Sequence, residues 1–161
     1  MAAVSPLAPE RFPDLQPIAG VRLAAFAAGV RYSGRNDLML AELAPGSTVA
    51  GVFTKSTMPG HPVTWCRQCL PGGTARAIVV NSGNSNVFTG RAGWQVVEAT
   101  AATAARVIGC EPGEVFISST GVIGEPPPPD KIVGALPEAA KLLSADSWET
   151  AARAIMRSAS P

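Results

Sequence analysis

The sequence predicts an α+β or mixed α/β domain, with helices packed on a mixed sheet. Three observations carry that prediction. Short apolar runs such as Ala77 to Val80 end in clusters of Asn, Ser and Gly, as buried strands do. Trp94, Val97, Ala101, Ala104 and Ile108 recur at helical spacing and form one stripe. Strand-like and helix-like stretches alternate loosely, with an antiparallel hairpin pattern in front.

Taken in order, residues 1–16 are a Pro-rich lead without periodicity, expected to be flexible. Gly20 to Ala27 reads as a first strand, and Arg31 to Asp37 as a polar turn. Leu38 to Leu43 reads as a strand, Pro45-Gly46 as its turn, and Ser47 to Thr54 as its antiparallel partner. Ala77 to Val80 is a buried strand, and Asn81 to Asn86 a tight polar loop. Residues 91–108 are the strongest helix, stopped by Gly109. Its many alanines leave a thin stripe that can approach a sheet closely. Val115 to Ile117 is the next strand. Asp130 caps a short helix through Leu136, which Pro137 interrupts or restarts. Asp146 and Glu149 have capping-box spacing for a last helix that turns Trp148, Ala152 and Ile155 inward.

The chain has 161 residues, enough for one domain with a real core. It is 47% hydrophobic, which fits a globular chain rather than a disordered one. A net charge of +1, without a basic block, gives no footprint for nucleic acid or an anionic membrane. No apolar run approaches the ~20 residues of a membrane span. The N-terminus has no hydrophobic signal region, and an odd count of 3 cysteines makes no disulfide framework. A reducing cytoplasm is the expected compartment.

Cys66 and Cys69 have CxxC spacing, with His61 nearby. Two cysteines supply half of a structural zinc site, and the apolar strand that precedes a thioredoxin-like motif is missing. Ordinary semi-buried cysteines are the better reading. With 1 histidine and no Gly-x-Ser-x-Gly elbow, a self-contained hydrolase triad is not expected. Neither a phosphate loop nor a dinucleotide fingerprint occurs, and no cofactor or metal is called for. The stretch from Val115 to Glu125 is more informative. An apolar strand opens into Ser118-Ser119-Thr120-Gly121 and leaves through Pro126 to Pro129. Small hydroxylated residues and a glycine at a strand end present N–H donors that suit an anion or an oxyanion. The same residues also make a plain turn.

Five landmarks then appear in order. They are Pro17-Ile18-Ala19-Gly20-Val21-Arg22, Val49-Ala50-Gly51-Val52-Phe53-Thr54, and Val80 to Asn86 with Thr89-Gly90, followed by Ser119 to Gly124 and Ala154-Ile155-Met156. On these the chain, from about residue 17 to 156, resembles the α-chain portion of the ornithine acetyltransferase family. That family is also called bifunctional glutamate N-acetyltransferase / amino-acid acetyltransferase, of arginine biosynthesis. The resemblance implies a sandwich fold shared with self-processing aminopeptidase-like hydrolases. It implies a precursor that cuts itself into α and β chains, usually assembled as an α2β2 heterotetramer in the cytoplasm. The N-terminal threonine of the β chain takes acetyl from N2-acetylornithine and passes it to glutamate; acetyl-CoA is a further possible donor. Thr120 and Gly121 match the oxyanion-hole residues. The Asn81–Asn86 loop either shapes the site or satisfies its own backbone, the second being preferred.

The chain departs from the family pattern after Met156. Where the family continues with a run of threonines, one of them substrate-binding, residues 157–161 read Arg157-Ser158-Ala159-Ser160-Pro161. Arg157 takes the position of that substrate-binding threonine, and the nucleophile and the β chain have no counterpart. The expectation is a truncated portion, inactive alone. Two other readings stand beside it: a non-catalytic remnant or assembly partner of an intact paralogue, and part of a self-processing aminopeptidase-like hydrolase.

Overall fold

The computed structural model describes residues 11–156. Four strands form one sheet in the order β1-β2-β3-β4: β1 (Val21–Phe26), β2 (Leu38–Leu43), β3 (Ala77–Asn84) and β4 (Val115–Val122). The first three pair antiparallel, while β3 and β4 run parallel. A parallel neighbour requires a crossover. Helix α2 (Gly90–Ile108) supplies it. Val97, Ala101 and Ala104 of the predicted stripe are buried, and Gly109 ends the helix at φ 76°, a left-handed cap that glycine adopts without strain. Among the described residues no helix is long and apolar enough to cross a membrane.

The pleat sends alternate residues to opposite faces. One face sets Leu38, Leu40, Val79 and Val115 against α2 and helix α3 (Pro129–Lys141), which contributes Ile132 and Leu136. On the other, Leu23, Ala41 and Ile78 pack with Ala151 and Trp148 of the short helix α4 (Trp148–Ile155). Helix α1 (His61–Cys69), which the periodicity does not announce, packs beside β4.

Four local expectations are corrected. Ser47 to Thr54 is not the partner of β2, because β1 and β3 already occupy both of its edges; one bridge, Thr48 to Thr74, remains. Asn81–Asn84 and Ser118–Val122 are strand rather than loop or turn. Parallel pairing uses backbone groups, so polar side chains do not end it while they find partners. Helix α3 runs through Pro137 without a break and starts from Pro128 rather than an Asp130 cap. Buried Ile132, Leu136 and Ala139 flank Pro137 and hold the helix across the missing N–H. In α4 Ser147 is the N-cap, without a side-chain cap bond, and Ala151 and Ala154 are the buried residues. Ile155 is 38% exposed, because the small alanines let the helix backbone approach the sheet.

Candidate active site

Strand β4 lies at the end of the sheet order, so half of its backbone groups face away from β3. Helix α1 covers the first of these. Trp65 Nε1–H donates to the Val115 carbonyl at 2.9 Å. The Cys66 thiol donates to the Ile117 carbonyl and accepts from the Ile117 N–H, both at 3.3 Å. Strand alternation gives Ser119, two residues on, the same backbone orientation as Ile117, beyond the reach of these two side chains.

At its C-terminal end β4 closes on β3 more tightly than side chains permit. Gly83 pairs with Gly121, and both have positive φ, 119° and 134°. A Cβ on Gly121 would lie 2.1 Å from the Gly83 carbonyl oxygen. A Cβ on Gly83 would press on Arg31 Cβ at 3.0 Å. The glycine in Ser119-Thr120-Gly121 is therefore required by backbone contact, whatever else it does.

The asparagines around this pair hold backbone. Asn81 is buried and bridges the two strands: its Nδ2 donates to the Asn84 carbonyl at 2.9 Å, and its Oδ1 accepts from Ser119 Oγ at 2.6 Å. Asn84 Nδ2 donates to the Glu125 carbonyl at 3.3 Å. The Glu125 carboxylate pairs with Arg31, whose hydrogen bond and charge hold it below the usual carboxylate range. Asn86 Nδ2 donates to the Gly93 carbonyl at 2.8 Å while its Oδ1 accepts from Thr89 Oγ1 at 2.6 Å. Each asparagine thus ties one chain segment to another.

Thr120 pairs in register with Ser82. The Ser82 hydroxyl donates to the Ala154 carbonyl at 2.8 Å and accepts from Arg35 at 3.0 Å. Arg35 also donates to the Met156 carbonyl at 3.3 Å. Two landmarks far apart in sequence, Ser119-Thr120-Gly121 and Ala154-Ile155-Met156, are thereby brought to one end of the sheet. Arg157 lies outside the described residues.

The sequence reading missed Asp37. It is fully buried, and its carboxylate accepts from three consecutive backbone N–H groups: Ala28 at 2.8 Å, Gly29 at 3.2 Å and Val30 at 2.6 Å. The Asp37 carbonyl accepts from the Ser82 N–H at 2.8 Å, so this loop braces β3 beside Gly83. An aspartate just before an apolar strand is the one available signal, and it reads equally well as an ordinary turn residue.

A cleft of about 380 Å³ opens between α1 and the end of β4. Phe53, Pro62 and Val63 form apolar wall, and Asn86, Ser118 and Ser119 add polar groups. Thr120 and Gly121 come directly after this lining. Cys66 and Cys69 are buried on α1, and burial pushes both thiols up, which makes them poor nucleophiles. His61 stacks edge-on against Trp94, with ring centroids 6.0 Å apart. Among the described residues no group of three or more His, Cys, Asp or Glu could hold a metal.

A mixed four-stranded sheet with helices on both faces is a fold this chain shares with solved ornithine acetyltransferase structures. The match to the ornithine acetyltransferase of Mycobacterium tuberculosis complexed with ornithine has a TM-score of 0.84 at 35% identity, over 90% of this chain and 79% of that one. An arginine biosynthesis bifunctional protein ArgJ from Bacillus halodurans shares the fold, with a TM-score of 0.79 at 24% identity. The chain belongs to the ArgJ family, whose profile matches residues 22–159. It is 58% identical over 153 residues to the arginine biosynthesis bifunctional protein ArgJ of Gluconobacter oxydans, and 52% identical to that of Bradyrhizobium diazoefficiens. It covers 95% and 96% of its own length in these matches but spans only 36% and 38% of those curated relatives.

Proposed function

We propose that this chain forms one wall of an acetyltransferase site that moves acetyl from N2-acetylornithine to glutamate. In this reading Thr120 and Gly121 supply the oxyanion hole. The nucleophile, a threonine that carries the acetyl group as an ester, is on the remainder of the family-length polypeptide or on a separate β chain. Three events follow in order. The nucleophile adds to the acetyl carbonyl, and the oxygen gains negative charge. Donors at the end of β4 hold that charge. Ornithine then leaves as the free amine with the proton given up by the threonine hydroxyl, and the glutamate amine adds to the acetyl ester at the same place, expelling the threonine oxygen, which regains a proton.

The observation that carries the proposal is the fixed geometry of Gly121. It is locked against Gly83 on one side, and among the described residues no strand lies beyond β4 on the other, so a reacting group from another segment can approach. The register of Ser82 with Thr120 adds support, because it ties the end of α4 to the same lip. In this reading the chain alone lacks acetyl transfer.

Co-production with the remaining part of the Gluconobacter oxydans relative tests this. Transfer from N2-acetylornithine to glutamate is expected from the pair and from neither part alone. Transfer by this chain alone would overturn the division of the site.

A further inference from the structure

We propose that Asn81 is the positioning residue of the Thr120–Gly121 lip. The inference rests on the reading just given. It starts from the polarity of one side-chain amide. Asn81 Nδ2 lies 2.9 Å from the Asn84 carbonyl, which can only accept. That fixes the amide orientation, so Oδ1 is the atom 2.6 Å from Ser119 Oγ. The Ser119 hydroxyl must therefore be the donor. Its proton is committed to Asn81, and Ser119 offers only lone pairs to the cleft it lines. The Ser119 hydroxyl is thus excluded as a proton-donating partner of an oxyanion, and the bond holds the strand instead.

The placement gives Asn81 leverage. It is the register partner of Ser119, two residues before Gly83 on one strand and opposite the residue that precedes Thr120 on the other. From there a chain of contacts encloses the lip. Ser119 binds Asn81, Asn81 binds the Asn84 carbonyl, and Asn84 binds the Glu125 carbonyl, four residues past Gly121. Asn81 itself is buried, with 4% of its surface exposed, so a broken Asn81–Asn84 bond is poorly replaced by water. The lip is clamped on both sides of the two residues assigned to the oxyanion. A structural asparagine would serve stability alone; this one also sets where two donors point.

Asn81→Ala removes both bonds. Ser119→Ala removes one, leaves Asn81–Asn84 in place, and serves if Asn81→Ala does not fold. The first measurement is NMR relaxation on the chain itself. Order parameters at Thr120 and Gly121 should fall from about 0.85 towards 0.6 while Val79, in the sheet centre, stays rigid. The second uses the chain co-produced with the rest of the Gluconobacter oxydans relative. There kcat should fall by about 10²-fold with KM for N2-acetylornithine little changed, since a misplaced donor affects the transition state more than binding. The two substitutions should be non-additive, because they break one network. Unchanged order parameters at Thr120 and Gly121, or an unchanged kcat, would overturn the role of Asn81. An unsubstituted pair without transfer would instead overturn the functional reading, and the relaxation data would still decide on Asn81.

Discussion

Gly83 and Gly121 face each other across β3 and β4 so closely that a Cβ on Gly121 would lie 2.1 Å from the Gly83 carbonyl oxygen. The obstruction is backbone and cannot rotate away. Gly121→Ala should therefore destabilise by about 2–5 kcal/mol, combining the clash with a positive φ that alanine resists. Urea unfolding of the purified variant checks this. Gly113, with open space around its Cβ position, is the control, and its alanine variant should stay near the parent.

Asp37→Asn tests the brace behind β3. The carboxylate accepts from the N–H groups of Ala28, Gly29 and Val30, and an amide can satisfy only one side of that set. A loss of about 2–4 kcal/mol is expected, because charge-assisted bonds are broken and a buried N–H is left without an acceptor. Thermal unfolding measures it.

How much of this was legible in the sequence follows from which forces act locally. Leu38 to Leu43 and the 91–108 stripe carry their own periodicity, and both are found as expected. Ser47 to Thr54 looks like a strand but loses its partner to β3, a competition that only the tertiary arrangement decides. Asn81 to Asn84 looks like a loop because asparagine avoids strands on average, yet here Asn81 accepts from Ser119 across the parallel pair and donates to the Asn84 carbonyl, while Asn84 donates to the Glu125 carbonyl. The glycine of Ser119-Thr120-Gly121 is visible in the sequence; its opposition to Gly83 depends on a register between strands 38 residues apart.

The cysteines give a pH dependence. Burial pushes Cys66 above its ordinary value, with the Ile117 hydrogen bond opposing in part, and burial raises Cys69 as well. The unfolded chain releases these protons first, so above about pH 8.5 it binds fewer protons than the folded chain, and stability falls as pH rises. Below that value their contribution is fully present. Urea midpoints should be flat in this respect from pH 7 to 8 and decline towards pH 9.5. Cys66 should also react slowly with a thiol reagent until the chain is unfolded.

Trp148 offers a substitution expected to be nearly harmless. Among the described residues its Nε1 is the one buried side-chain N or O without a hydrogen-bond partner. Trp148→Phe removes that unmet donor along with some packing volume, and the two effects oppose each other. The net change should stay within about 1 kcal/mol, against the ~3–5 kcal/mol of an ordinary large truncation. Thermal unfolding of the variant checks it.

The central claim is that the end of β4 stabilises charge for a nucleophile carried elsewhere. The most direct measurement is the kinetics of Thr120→Ala and Thr120→Val in the chain co-produced with the remainder of the Gluconobacter oxydans relative. Both substitutions remove the Thr120 hydroxyl, the side-chain donor assigned to the oxyanion, and its loss should lower kcat by about 10²–10³ and leave KM for N2-acetylornithine near its starting value. A kcat equal to that of the unsubstituted pair, in folded protein, would contradict the assignment of Thr120 to the oxyanion.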